Sequence, residues 1–296
     1  MVEPIISTLP KRKPPKHGTQ RRTVDTMNNE KDNPQSVSQS VSQSVRVHCL
    51  FEQSGTFKKQ FNELGFTAYD YDILNDFGET DYVVDLFAEI ESAFNGNDSI
   101  FDSFTENDLI MAFFPCVRFE NQVMLWFRGQ CYSQKNWSII RKMEKCMELQ
   151  KELTRNYNLV NMLFLICMKR NLRLVMENPY SQEHYLRRYW CVEPTIIDTD
   201  RRLNGDYYKK PTQYWFVNIK PYDNTLEPLE EDNFINEPDA IRKLNSTKFK
   251  NQTGMWVDKT VLRSMIHPTY ANRFIRRYLM KGTKVEERQM KITDFL

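Results

Sequence analysis

The residues best suited to chemistry are a cysteine and a glutamate, each of which follows an apolar run. The stretch NDLIMAFFPCVRFENQ (107–122) leads into Pro115 and Cys116, and VMENP (175–179) carries Glu177 at the end of a second run. A thiol and a carboxyl group that face one cleft can serve as nucleophile and general acid. Burial in an apolar cleft would raise the pKa of the carboxyl group, which suits a proton donor. Taken alone, Cys116 equally fits a packed core thiol.

The surrounding sequence alternates between strand and helix patterns. Strands are predicted at 45–51, 66–73, 108–114, 172–178 and 212–219, and helices at 54–65, 81–96 and 138–170. In the second helix the pattern places Val83, Leu86, Phe87, Ile90 and Phe94 on one face. This alternation predicts an α/β fold with a doubly wound, mostly parallel, Rossmann-like sheet in a single domain.

In such sheets ligands bind beyond the carboxyl ends of the strands, so the residues at those ends are informative. Gly55 follows the first strand, Asp70 and Asp72 close the second, and Cys116 follows the strand predicted at 108–114. The loop LFEQSGTF (50–57) has one glycine where a dinucleotide fingerprint needs three, so it also fits an ordinary turn. Asp70 fits a carboxylate that accepts ribose hydroxyls, or a solvated aspartate.

The order of the segments LFEQSGTF, YDYD, DLF, FFPC, ENP and TQYW resembles the DNA cytosine-5 methyltransferases, especially their short phage-type members. The resemblance covers about residues 47–219 and extends to LRSMIHPTYANRFI (262–275). It implies a class I methyltransferase domain that uses S-adenosyl-L-methionine to methylate C5 of cytosine in double-stranded DNA. It also implies that the protein acts in the cytoplasm, which is that of a bacterial host if the chain is encoded by a phage.

The resemblance assigns roles to individual residues. Cys116 matches the thiolate that attacks C6 of cytosine, and Glu177 matches the acid at N3 of the base. The cofactor-binding positions that it implies are Phe51, Gly55, Asp70, Asp85 and Pro115. Attack at C6 makes C5 nucleophilic, and a target inside a duplex must first be flipped out.

Several positions depart from the family pattern. Gln53 stands where the first glycine of the cofactor loop belongs, Val117 follows the cysteine, and Phe114 replaces the first proline of Pro-Pro-Cys. An arginine-rich motif is expected at 211–215, where only Gln213 can be matched, and the long recognition region is absent. Two alternatives therefore stay open: an inactive methyltransferase-fold protein that binds DNA or a clamp, and an enzyme that modifies a free pyrimidine nucleotide.

Basic and aromatic residues alternate in HYLRRYWCVEP (184–194) and DTDRRLNGDYYKKPTQYW (198–215), and FRGQCYSQKNW (127–137) could form a lid. Stacking rings beside cations fit DNA contact or a solvated face. The predicted DNA-binding residues are Arg128, Arg187, Arg188, Arg201, Arg202, Lys209, Lys210 and Gln213.

The two ends of the chain have a different character. Residues 1–46 are predicted to be disordered, because they are rich in Ser, Gln and Pro and hold eight Lys/Arg against four Asp/Glu. The predicted organisation continues with the methyltransferase-like domain (47–225), a small helical appendage (226–280) and a flexible tail (281–296). In that tail Gln289, Ile292, Phe295 and Leu296 resemble the peptide by which replication proteins dock on sliding clamps.

Composition excludes other classes. The net charge is only +2, so binding of nucleic acid would need a local patch. Six cysteines without C-x-x-C spacing and only four histidines argue against a structural zinc site, and we expect no metal. Scattered cysteines favour a reducing cytoplasm, and the longest apolar run, at 159–168, is too short for a membrane span.

Overall fold

Seven strands form one mixed sheet in the order β3-β2-β1-β4-β5-β7-β6. The structure is a computed structural model that describes residues 45–120, 123–182, 184–236, 248–250, 256–258 and 264–281. The strands of the sheet are β1 (Arg46–Leu50), β2 (Thr67–Asp72), β3 (Tyr82–Val83), β4 (Leu109–Phe113), β5 (Arg173–Pro179), β6 (Ile196–Asp198) and β7 (Thr212–Val217). A separate hairpin pairs β8 (Lys248–Lys250) with β9 (Trp256–Asp258).

Strands β1 to β5 run parallel, which confirms the predicted α/β fold with a mostly parallel sheet. Strand β7 is antiparallel to both of its neighbours, β5 and β6. The strand order reverses between β1 and β4, and in open α/β sheets such a switch point opens a crevice at the carboxyl ends of the strands.

The helices cover both faces of the sheet. They are α1 (Thr56–Glu63), α2 (Leu86–Phe94), α3 (Val123–Phe127), α4 (Ile139–Arg170) and α5 (Pro268–Tyr278). Because successive strand residues point to opposite faces, β1 sends Val47 and Cys49 into one core and Leu50 into the other. Helices α2 and α4 close the Leu50 side, and α1 and α5 close the opposite side.

Local sequence explains where these helices begin and end. Asp85 begins α2, because its carboxylate accepts hydrogen bonds from the backbone N–H groups of Phe87 and Ala88. Ser138 caps α4 in the same way, and Asn171 ends that helix in the left-handed conformation. Val83, which the pattern placed on the face of the second helix, instead lies in the exposed strand β3, because Asp85 starts the helix two residues later.

The C-terminal helix α5 is part of the domain core. Tyr270, Ala271 and Phe274 are buried among residues of β1, α1 and β7. The predicted appendage 226–280 therefore includes a helix that completes one face of the sheet. None of the helices in the described ranges is long and apolar enough to cross a membrane.

Candidate functional site

A cavity of about 570 Å³ opens at the carboxyl ends of β1, β2, β4 and β5. This volume lies in the range of small-molecule sites. We divide its lining by the elements that supply it. The part from the β1 loop, the end of β2 and the start of α2, which we call the acidic compartment, consists of Phe51–Ser54, Asp72–Leu74, Phe77 and Asp85–Phe87. The other, which we call the thiol compartment, is lined by Phe113–Val117, Glu177, Pro179, Arg201, Lys210 and Ser264–Ile266. Of the predicted site residues, the cavity brings together Phe51, Asp85, Pro115, Cys116, Glu177, Arg201 and Lys210.

The loop after β1 lines the acidic compartment with Phe51–Ser54. Phe51 has a φ of 62°, and its ring packs between the rings of Phe87 and Phe114, with centroids 5.8 and 5.3 Å away. Gly55 does not line the cavity, but it has a φ of 66°, which favours glycine. A Cβ atom there would lie 3.3 Å from the Cβ of Glu79. Gly55 therefore allows the turn between β1 and α1, and it does not contact a ligand in the cavity.

Glu52 occupies the position where a helix N-terminus could hold a phosphate. Its carboxylate accepts hydrogen bonds from the backbone N–H groups of Phe57 at 2.7 Å and Lys58 at 3.3 Å, at the start of α1. Helix N-termini bind pyrophosphate through these groups, and here they are already paired. Burial raises the pKa of Glu52 to about 7. Sequence reasoning missed this role of Glu52, although a glutamate between a strand and a helix start was the available signal.

The acidic compartment carries three carboxyl groups: Glu52, Asp72 and Asp85. Among the described residues that line it, none is basic. Burial also raises the pKa of Asp72. This electrostatic environment favours a ligand with a positive charge.

Asp70, predicted to bind ribose, lies outside the cavity. It is fully buried, and its carboxylate accepts hydrogen bonds from Lys58 Nζ at 3.1 Å and from the backbone N–H of Asp81 at 2.7 Å. Asp72 lies two residues nearer the end of β2 and lines the cavity instead. A displacement of two residues along a strand is about 7 Å, which explains the difference.

Cys116 lines the thiol compartment on the loop after β4. The loop turns back at this point, because the N–H of Phe119 donates to the carbonyl of Cys116 at 2.8 Å. The turn brings Glu120 close, and the thiol donates to its Oε1 at 3.6 Å. Burial raises the pKa of Cys116 to about 12, with smaller contributions from Glu120 and Glu177, whereas Lys210 lowers it. The thiol is therefore protonated at neutral pH.

Glu177 reaches the thiol compartment from β5. Its Cα is paired with that of Phe113 on β4, three residues before Cys116, so the parallel register brings the two functional groups to one sheet edge. Its Oε1 is buried and has no hydrogen-bond partner among the described residues. Burial raises the pKa of this carboxyl group, whereas Lys210 and Arg201 lower it. A protonated carboxyl group facing a cavity can donate to a ligand.

Arg201, which was predicted to contact DNA, is instead buried inside the domain. It is 1% exposed and forms a buried ion pair with Asp206. Its guanidinium lies over the ring of Tyr270, 4.7 Å from the centroid. A tight turn explains the pair, because the N–H of Asp206 donates to the carbonyl of Arg201 at 3.1 Å. Arg201 cannot contact a DNA backbone on the surface from this position.

The other predicted DNA-binding residues are scattered. Arg187 pairs with Glu193, and Arg202 pairs with Asp200 at 2.6 Å, so both charges are balanced. Gln213 is fully buried in β7, where its side-chain amide donates to the carbonyl of Pro179 at 2.8 Å, so it is not a surface contact. Arg128, Arg188 and Lys209 are exposed.

Two predictions lie outside the described residues: the disordered segment 1–46, except for its last two residues, and the clamp peptide Gln289, Ile292, Phe295 and Leu296. Among the residues that the structure describes, no three or more His, Cys, Asp or Glu side chains are grouped to hold a metal ion. No protein-family model matches this chain, and no curated protein matches it.

Proposed function

We propose that the chain transfers a methyl group from S-adenosyl-L-methionine to C5 of cytosine in DNA, with Cys116 as nucleophile and Glu177 as acid. One observation carries the proposal: Cys116 and Glu177 share a cavity whose other compartment is lined by three acidic groups. The sheet, in which one reversed strand separates β5 from β6, is the arrangement expected of class I methyltransferases and supports it.

The acidic compartment fits this cofactor better than a dinucleotide. S-adenosyl-L-methionine carries a sulfonium and an ammonium group against one carboxylate, so its net charge is positive, and the carboxyl groups of Asp72 and Asp85 in this compartment can balance that charge. A pyrophosphate would need the N–H groups that begin α1, which Glu52 already occupies. When bound, the cofactor supplies an electrophilic methyl group.

The chain's own residues would act on the base. The Sγ of Cys116 forms a bond to C6 while the thiol proton passes to Glu120, and the electrons of the C5–C6 double bond move towards N3. Glu177, whose pKa is raised by burial, donates its proton to N3. After C5 has been methylated, water removes the C5 proton and the S–C6 bond breaks. The N3 proton returns to Glu177 and the proton held by Glu120 returns to the sulfur, which restores both groups and the aromatic ring. Arg201, held by Asp206 in the same compartment, donates to an oxygen acceptor on the base.

A second candidate is methylation of a free pyrimidine nucleotide. The observation that favours it is the pairing of Arg187 with Glu193 and of Arg202 with Asp200, which removes two charges from the predicted DNA surface. Such a substrate would occupy the thiol compartment in the same way.

The test is nucleoside mass spectrometry of DNA from a methylation-deficient host that expresses the chain, Cys116→Ser or Cys191→Ser. Cys191 is exposed, so its variant controls for loss of a thiol away from the cavity. We expect 5-methyldeoxycytidine with the wild-type chain and Cys191→Ser, and none with Cys116→Ser. Purified protein given labelled cofactor and free deoxycytidine monophosphate tests the second candidate. Label in neither substrate would contradict the proposed function.

A further inference from the structure

The charges that line the cavity are distributed unequally. The acidic compartment carries three carboxyl groups, whereas the thiol compartment carries two cations, Arg201 and Lys210, beside Glu177. The cavity therefore has a negative end and a more positive end. A ligand that spans both ends would present positive charge to the first and negative charge to the second.

The two cations differ in how they are compensated. Asp206 already neutralises Arg201 in a buried ion pair. The described residues supply no ion-pair partner for Lys210, which is half-buried and lines the cavity. Its charge lowers the pKa of both Cys116 and Glu177, which line the same cavity. A half-buried cation without a partner is stabilised when a ligand supplies an anion.

A second observation also indicates a ligand in this compartment. Glu177 lines the cavity and is 7% exposed, and its buried Oε1 has no hydrogen-bond partner among the described residues. Buried polar groups are normally paired, so this atom is expected to meet a polar group of the substrate. The thiol compartment thus offers Glu177 as a partner for the polar edge of a ring and Lys210 as a partner for an anion.

The stereochemistry of a pyrimidine nucleotide connects these two partners. In the anti conformation, C6 is the ring atom that faces the 5′ side of the sugar, so a thiol placed to attack C6 has the 5′-phosphate nearby. We infer that Lys210 binds the 5′-phosphate of the target pyrimidine nucleotide. This inference rests on the proposed function, because it takes Cys116 as the group that attacks C6.

Two sources can supply this phosphate: the phosphodiester on the 5′ side of a cytosine in DNA, and the phosphate of a free nucleotide. Both present the same anionic oxygens to the ammonium group. Lys210 therefore contributes to binding of the target nucleotide in either case, and the source is a matter for experiment.

The first experiment measures binding of three small probes to the full chain by calorimetry: deoxycytidine, its 5′-monophosphate and its 3′-monophosphate. The two phosphates have the same composition and differ in the position of the charge. We expect the 5′-phosphate to bind about tenfold more tightly than the other two, as one charge-assisted contact allows. Lys210→Gln should abolish this preference. Lys209→Gln, which removes the neighbouring exposed charge, should retain it.

The second experiment uses an oligonucleotide in which the linkage on the 5′ side of the target cytosine is a neutral methylphosphonate. If DNA is the source, this change weakens binding to the wild-type chain and has little effect on Lys210→Gln. If the chain prefers the free 5′-phosphate but the methylphosphonate has no effect, the substrate is a free nucleotide. This result still supports the contact between Lys210 and a 5′-phosphate.

The inference is overturned if the free 5′- and 3′-phosphates bind equally and the methylphosphonate has no effect. It is also overturned if Lys210→Gln behaves like Lys209→Gln in both experiments. These measurements do not require methyl transfer. A 5′-phosphate preference without methylation would contradict the proposed function alone, whereas methylation that is insensitive to Lys210→Gln in both rate and KM would contradict the inference alone.

Discussion

The thiol of Cys116 donates a hydrogen bond to Glu120, whose Oε1 lies 3.6 Å from the Sγ atom. Negative charge at this distance stabilises the protonated thiol relative to the thiolate. The groups that face this thiol are Glu120 on its own loop, Glu177 on β5, Tyr185 on a neighbouring turn and Lys210 before β7. The resting protein therefore holds its proposed nucleophile in an unreactive form.

We expect Glu120→Gln to lower the pKa of Cys116 from about 12, because it removes a carboxylate from the thiol. The rate of alkylation of Cys116 by iodoacetamide at pH 8 should rise several-fold, since the thiolate is the reacting form. Peptide mass spectrometry gives the rate at each cysteine. The exposed Cys191 is the reference thiol, and labelling of the buried Cys49 would report unfolding. An unchanged or slower rate at Cys116 would contradict the prediction.

Glu177 should act as an acid only while it is protonated. Its pKa is raised by burial, so methyl transfer should fall as the pH rises through that pKa. Glu177→Gln should lower kcat by about 10² to 10⁴ and remove this alkaline decline. The measurement is the pH dependence of kcat with labelled cofactor. If Glu177→Gln retains the wild-type kcat and the same fall in kcat at high pH, Glu177 is not the acid.

Glu52 should make stability depend on pH. Its pKa rises from 4.5 in the unfolded chain to about 7 in the folded protein, so the folded state binds the proton more tightly. The stabilisation of the folded state by protonated Glu52 is therefore complete below pH 4.5 and is lost as the pH rises through 7. The free energy of unfolding of the wild-type chain should therefore fall between pH 5 and pH 8, whereas that of Glu52→Gln should not. We expect the difference between variant and wild type to be up to about 3 kcal/mol larger at pH 8 than at pH 5, in favour of the variant.

Urea unfolding at the two pH values measures this difference. Glu63→Gln is the matched control, because Glu63 is exposed at the end of α1, the helix whose start Glu52 contacts. A difference of the same size in both variants would show that burial of Glu52 is not its cause.

The buried pair of Arg201 and Asp206 should be sensitive to the loss of one partner. Asp206→Asn leaves the guanidinium uncompensated, and we expect the free energy of unfolding to fall by about 3 to 5 kcal/mol. Asp200→Asn breaks the more exposed pair with Arg202 and should cost less than about 1 kcal/mol. Denaturant unfolding compares the two variants. Equal losses would show that burial does not distinguish the pairs.

The sequence alone predicted most of the elements that form the sheet and its layers. Apolar runs near Leu109–Phe113 and Arg173–Pro179 lie between polar ends, and the periodicity of the stretch before Asn171 is that of one long helix. Patterns of period 2 and 3.6 report local burial directly, so these elements could be recognised without tertiary information. The strands β6 and β3 are too short to give such a pattern.

The meeting of Cys116 and Glu177 in one cavity also followed from the sequence, because carboxyl ends of parallel strands share an edge. Tertiary structure decided which polar residues join them. Lys209 and Lys210 are adjacent in sequence, yet Lys209 is exposed and only Lys210 lines the cavity. Asp72 replaces Asp70, and Asp206 draws Arg201 inside, because α1, α5 and the turn after β6 close over these side chains. Such long-range packing leaves no periodic signal in the sequence.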